Sequence, residues 1–325
     1  MRLGQSYSAR LREQGLRRRV GSQPSSSPSS LRVVATAEWP TAQAGCAPCR
    51  RCTLAQVAET RVEEMKSKVV VYPTPPEPGV ERAVDLTYRV VDGASMTLDV
   101  YRPARTTEKL PAAVFIHGDL AEPELVRDIK DWGQYRSWGE LTASTGIAAV
   151  TVNHRSAHQG TRMRDVTEDI EAALDYIDSN GEQLGIDASR LALVAFSMGV
   201  PYALRVAFDR RARLRCVVAF YGPMDLSDAP WSVSAELLRE FSPLHHLRRE
   251  GELPPLLVVR AGADHPLLNE SIDRFVVEAL QRNIEVDVLN HPAGPHGFDL
   301  DDASARSRQI IAAALAFLGS HLSQG

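Results

Sequence analysis

Leu191-Ala192-Leu193-Val194-Ala195-Phe196-Ser197-Met198-Gly199 is the stretch that decides the fold of this 325-residue chain. Its first six residues are an unbroken apolar run, the pattern of a strand buried on both faces. The run stops at a serine, and Tyr202-Ala203-Leu204-Arg205-Val206-Ala207-Phe208 follows with the composition of a helix. A serine between the two sits on a sharp, strained turn. Small residues two positions before and after it, Ala195 and Gly199, keep strand and helix from clashing. The helix start also brings orphan backbone N–H groups and the positive end of the peptide dipole to the hydroxyl. This is the layout of a nucleophile elbow, with Ala195 in place of the first glycine of G-x-S-x-G. The pattern is cheap when taken alone: composition yields about 0.2 to 0.3 chance matches in a chain of this length. Thr142-Ala143-Ser144-Thr145-Gly146 is a near match of that kind. The plain structural alternative for Ser197 is a small residue in a tight turn, so the weight rests on what else the chain supplies.

A serine nucleophile needs a general base, and the base needs an acid to orient it. Pro254-Pro255-Leu256-Leu257-Val258-Val259-Arg260 reads as another buried strand and ends at Ala261-Gly262-Ala263-Asp264. Asp264 is therefore expected at the carboxyl end of that strand. Asp225, in Tyr221-Gly222-Pro223-Met224-Asp225, also follows a strand and competes with it, although aspartate in such a place often serves a turn or helix cap. Ile272, Phe275, Val276, Ala279 and Leu280 then fall at helical spacing. Ile284-Glu285-Val286-Asp287-Val288-Leu289 alternates like a strand. Beyond it, the Gly/Pro-rich loop Asn290-His291-Pro292-Ala293-Gly294-Pro295-His296-Gly297-Phe298 offers two bases, His296 first and His291 second. Among the other histidines, His265 is expected to point away, and His245 and His246 to lie in a surface or lid loop. His154 and His158 show no clear role.

With these residues in place, the chain resembles the α/β-hydrolase superfamily, in its serine esterase and dienelactone-hydrolase-like group. The resemblance runs from about Val84 to His321. It rests on Met96-Thr97-Leu98-Asp99-Val100-Tyr101-Arg102-Pro103, on His117-Gly118, on Gly185-Ile186-Asp187, and on the Ser197 elbow. Ser242-Pro243-Leu244, Gly262-Ala263-Asp264 and His296-Gly297-Phe298 complete it. It implies an α/β fold, a mainly parallel central sheet with helices on both faces. It also implies acyl transfer by Ser197, Asp264 and His296 in that chain order, with no metal or organic cofactor. One oxyanion donor should be the backbone N–H of Met198, and the other should come from the loop after the third strand. That loop, His117-Gly118-Asp119-Leu120, has an aspartate where a second glycine is common. Its backbone N–H groups at Asp119 or Leu120 can still donate, but a carboxylate beside a developing oxyanion is unfavourable unless it points away.

A hydrophobic fraction of 44% and a formal charge of −4 fit an ordinary globular protein. No apolar run approaches the ~18 residues of a membrane span. The amino-terminal 64 residues differ from the rest. Residues 1–37 carry seven arginines, no lysine and a single acid, Glu13. Ser22 to Ser30 is mostly Ser and Pro, a disorder-prone composition. An organelle transit peptide or a nucleic-acid-binding arm would both suit such a leader. The reading preferred here is a disordered leader before a natural start at Met65, with one α/β-hydrolase domain over 65–325. Cys46, Cys49 and Cys52 form a C-x-x-C-x-x-C array without an evident fourth ligand, because Cys216 reads as a small buried residue in a strand. Cysteine usage makes a reducing cytoplasm the default. Residues 222–254, with Trp231, Leu237, Leu238 and Phe241, form an insertion that serves as a cap over the site or as a surface helix.

The expected activity is hydrolysis of small carboxylic esters. An amidase, formamidase or peptidase would use the same three residues, and a non-catalytic ligand-binding protein would share only the fold. A small-molecule ester is the expected partner, without nucleic acid or membrane, and oligomeric state is not legible.

Overall fold

The computed structural model describes residues 62–75, 79–119, 128–210, 213–229, 231–250 and 253–323. The basic leader up to residue 61, its cysteine array and Leu120 lie outside these. Eight strands form one sheet: β1 (Val80–Val91), β2 (Ala94–Pro103), β3 (Leu110–Ile116), β4 (Ala148–Val152), β5 (Ile186–Phe196), β6 (Leu214–Phe220), β7 (Leu256–Ala261) and β8 (Val286–His291). Their spatial order is β1-β2-β4-β3-β5-β6-β7-β8. β1 and β2 form a hairpin through Asp92-Gly93, both at positive φ, as the tight turn between right-twisted strands requires. β2 runs antiparallel to β4, and every later pair is parallel.

The helices are α1 (Gly133–Ser144), α2 (Met163–Leu184), α3 (Gly199–Asp209), α4 (Ala235–Glu240), α5 (Pro243–Glu250), α6 (Pro266–Gln281), α7 (Phe298–Asp301) and α8 (Ala305–Leu322). Strand alternation sorts them onto two faces. On one face, Ala112, Val114, Ile116, Leu193 and Ala195 pack with α2, α3 and α6. On the other, Ala113, Phe115, Val194 and Phe196 pack with α1 and α8. The expected mainly parallel sheet with helices on both faces is therefore what the chain builds. The connection β3–α1–β4 moves to one side of β3 and β4–α2–β5 returns to the other. The reversal opens a crevice at the carboxyl ends of β3 and β5, where α/β sheets place their ligands.

Some expectations shift. The α6 stripe buries Ile272, Phe275 and Ala279, but leaves Leu280 60% exposed. His246 is not in a loop: it is buried on α5, against Phe208, and its Nε2 bonds the Glu240 carbonyl at 2.5 Å. Ser144, the serine of the near-match motif, ends α1 and donates to the Leu141 carbonyl. At a bulge in β1, Asp85 turns toward buried Lys130, whose Nζ lies 2.8 Å from Asp85, Asp99 and Asp131. The ammonium thus fills the centre of the three-carboxylate cluster. Cys216 is a free, buried thiol on β6, and burial pushes its pKa up to about 12. Among the described residues, no helix is long and apolar enough to cross a membrane.

Candidate active site

Ser197 follows the last residue of β5 with φ 51, a left-handed conformation that few non-glycine residues adopt. Two backbone hydrogen bonds hold it there, from its N–H to the Phe220 carbonyl and from Val200 N–H to its own carbonyl, both 3.0 Å. The small residue after it is needed for a reason beyond the strand–helix clash. A Cβ on Gly199 would stand 2.4 Å from the His117 carbonyl oxygen and 2.7 Å from that of Ile116. Gly199 therefore lets α3 start against the end of β3. Met198 is the N-cap of α3, so its N–H belongs to the first-turn donors that have no partner within the helix.

The structure brings Asp264 and His296 to this serine. His296 Nε2 lies 3.0 Å from Ser197 Oγ, and His296 Nδ1 lies 2.6 Å from Asp264 Oδ2. Asp264 Oδ1 accepts from the His265 N–H at 2.7 Å, so both carboxylate oxygens are engaged. The Asp264 side chain is 8% exposed and the His296 side chain 43%, an anchored acid behind an accessible base. The competing residues are used elsewhere. Asp225 accepts from the Ser227 N–H and from the Ser227 and Ser242 hydroxyls, and pairs with Arg274. Burial would raise its pKa, but these partners hold it below the ordinary value. His291 is buried, with Nε2 facing Asp302 and Ser307 at the start of α8. His265 caps α6, its Nδ1 accepting from Leu267 N–H.

The loop after β3 passes directly over Ser197. A Cβ on Gly118 would lie 3.2 Å from Ser197 Cβ and 3.6 Å from Oγ. Asp119 does not point its charge at the serine. Its carboxylate accepts from Ser156 Oγ at 2.9 Å and from Ala157 N–H at 2.7 Å, which ties the loop to the segment after β4. Below it, His117 and His154 stack with ring centroids 3.5 Å apart. His117 bonds the Gly118 carbonyl through Nδ1 and accepts from His154 N–H at Nε2. Burial, and then the His154 ring, push the His117 pKa well below its usual value, so it is a neutral imidazole. Burial lowers His154 as well. Sequence reasoning gave His154 no role; its partner lies 37 positions away in the chain.

An aromatic floor of Phe115, Tyr135, Trp138, Phe196, Phe220 and Phe298 underlies the crevice. Tyr221, with φ 38, meets the His296 ring at 4.8 Å and 61°. Over the neighbouring loop, Trp231 packs on Gly160, while Leu238 and Phe241 are buried in the α2–α3 face of the core. Within 222–254, Leu238 and Phe241 therefore anchor their helices on the core, and Trp231 packs against the loop after β4.

A family model described as BD-FAE matches residues 98–237, from β2 through the elbow into α4. The chain is also similar to solved structures. A thermophilic esterase from the Planctomycetes species Thermogutta terrifontis is 20% identical, with a TM-score of 0.59 over 78% of this chain and 97% of that one. A mutant of the esterase rPPE is 19% identical, with a TM-score of 0.62 over 86% of this chain and 93% of that one. The Thermogutta terrifontis esterase 2 phosphonylated by cyclosarin aligns over 76% of this chain and 96% of that one, at 20% identity and a TM-score of 0.59. No curated protein matches the chain. These likenesses and the sheet order assign the α/β-hydrolase fold.

Proposed function

We propose that this protein is a serine hydrolase that cleaves small carboxylic esters through Ser197, His296 and Asp264. The observation that carries the reading is the unbroken hydrogen-bonded chain from Ser197 Oγ through both nitrogens of His296 to Asp264. It stands on a strained serine at the crevice of the sheet. The esterase names of the structural neighbours, one holding propionate and another butyrate, favour an ester over an amide and a short acyl group.

In this mechanism His296 takes the Ser197 proton as Oγ attacks the ester carbonyl. Asp264 fixes the Nδ1–H tautomer and balances the imidazolium charge. The tetrahedral oxyanion is held by the backbone N–H of Met198 and by an N–H of the 118–120 loop, at Asp119 or Leu120. One such donor typically contributes about 100- to 1000-fold in rate. Collapse expels the alcohol, which receives the proton from His296. Water then attacks the acyl-enzyme, gives its proton to His296, and the acid leaves as Ser197 is restored. The outward turn of the Asp119 carboxylate supports this assignment, because it removes a like charge from the oxyanion position.

The same reading takes 65–325 as the catalytic domain, supported by Met65 and Val70 packing into the core beside α8. It takes 222–254 as a cap, in which Trp231 rests on Gly160. Cytoplasmic residence is proposed on cysteine usage alone. The test is turnover of short-chain p-nitrophenyl esters, with covalent labelling by a serine-reactive phosphonate. Ser197→Ala is expected to lose labelling and to lower kcat by about four orders of magnitude or more. Equal turnover by parent and variant would falsify the assignment.

A further inference from the structure

The wall behind His296 is built by residues outside the Ser197–His296–Asp264 chain. Asp299 lies three positions after His296 and is fully buried. Its carboxylate accepts from the Tyr221 hydroxyl at 2.5 Å, from Trp138 Nε1 at 2.9 Å and from Gln134 Nε2 at 3.2 Å. An indole N–H donates only, and a phenol kept protonated by burial donates to the nearest anion, so the donor set suits an ionised carboxylate. Burial holds the Asp299 pKa above the ordinary carboxylate value, although the three donors oppose it.

Tyr221 carries this group to His296. Its backbone is fixed by φ 38 and by its N–H donating to the Val259 carbonyl at 2.8 Å. Its ring is wedged between His296 at 4.8 Å and Phe298 at 5.8 Å. One carboxylate therefore bonds the imidazole, and a second, from a different element, bonds the phenol beside it. Asp264, after β7, bonds Nδ1 directly, while Asp299, on α7, holds the phenol against which the ring rests. Other titratable or charged groups around this corner are Tyr135 on α1, His291, whose ring packs on Phe298 and which bonds Asp302, Asp301 paired with Lys68, and Arg308, which bonds the Val71 carbonyl.

We propose that Asp299, acting through Tyr221, is a positioning residue for His296: it fixes the ring plane and supplies a second negative charge that favours the imidazolium formed when Ser197 loses its proton. The proposal rests on the serine-hydrolase reading. Removing the Tyr221 hydroxyl takes one of three donors from a buried carboxylate, so its charge is held less well. His296 then loses part of that charge, and its own proton is bound less tightly.

The experiment uses the full chain, the Tyr221→Phe and Asp299→Asn variants, and retention of the near-UV circular dichroism spectrum as the criterion of folding. In Tyr221→Phe, kcat for a p-nitrophenyl ester is expected to fall about tenfold with KM unchanged, the typical worth of one hydrogen bond to a charged group. The acid limb of kcat/KM and the NMR titration of the His296 imidazole should both move to lower pH. Asp299→Asn, which removes the charge and keeps the size, should move them in the same direction. A folded variant with the parent's acid limb and His296 titration overturns the positioning role alone. A parent that fails to react with a serine-directed phosphonate overturns both this role and the hydrolase reading.

Discussion

Asp119 changes meaning between the sequence and the structure. In the chain it replaces a residue that is commonly glycine, and its charge argues against a place beside an oxyanion. In the fold the carboxylate is turned to Ser156 and Ala157, and becomes the peg that holds the loop over Ser197. Removing it leaves two donors without their acceptor and frees the loop on one side. His117 still holds the loop on the other, so the loss should be smaller than that of an oxyanion donor. We expect Asp119→Ala to lower kcat about tenfold, with Asp119→Asn between it and the parent, because an amide oxygen still accepts. Steady-state kinetics with a saturating ester checks this; an unchanged kcat in Asp119→Ala would remove the peg from the account.

The elbow shows how elements, and not a five-residue pattern, place a serine on a sharp turn. Ser144 sits in nearly the same five-residue pattern as Ser197, but it closes an α-helix and donates to the backbone one turn back. What separates them is the strand before and the helix after, brought within contact of β3 by Gly199. A methyl group at this position meets two carbonyl oxygens of the backbone, which cannot move aside as a side chain would. Gly199→Ala is therefore expected to destabilise the fold by about 1–3 kcal/mol and to reduce turnover as the 117–119 loop shifts. Urea denaturation paired with kinetics measures both. A variant with parent-like stability would show that the approach of α3 to β3 is looser than these distances.

Over the whole molecule, the carboxylates set the acid limit. The Ser189 hydroxyl, and then Arg190, hold the Asp187 pKa at about 2 against an ordinary 3.8. Glu240 is lowered by Arg164, and Asp302 by its serine partners against the upward push of burial. A carboxyl whose folded pKa is depressed contributes stability above its unfolded value, lost as pH falls through the folded one. Asp178 and Asp299 have the opposite sign: burial raises both, so the folded state gains as they are protonated. With Asp225 and Glu278 also lowered, the lowered carboxylates outnumber these two among the described residues, so Tm should fall as pH drops below 3.8 toward 2. Asp187→Asn should show a shallower fall over that window, read by circular dichroism melts. Parallel curves for parent and variant would assign the acid sensitivity to other groups.

Period and composition are enough to read the strands and the elbow, because each depends on residues adjacent in the chain, while the order of Ser197, Asp264 and His296 follows from the family resemblance. Burial on both faces leaves a continuous apolar run, and a sharp turn leaves small residues at fixed offsets. The choice of Asp264 over Asp225 and of His296 over His291 was only ranked there, and spatial proximity separated them: one pair meets at 2.6 Å, and the others face serines, an arginine and the start of α8. The direction of the Asp119 carboxylate, the His117–His154 stack and the Tyr221–Asp299 bond left no local trace. Their partners stand between 37 and 78 positions apart, and only the closing of the sheet brings them within a hydrogen bond. Patterning specifies which elements form. Which polar groups share a buried corner is decided by packing, since there each donor must find whatever acceptor the fold has placed beside it.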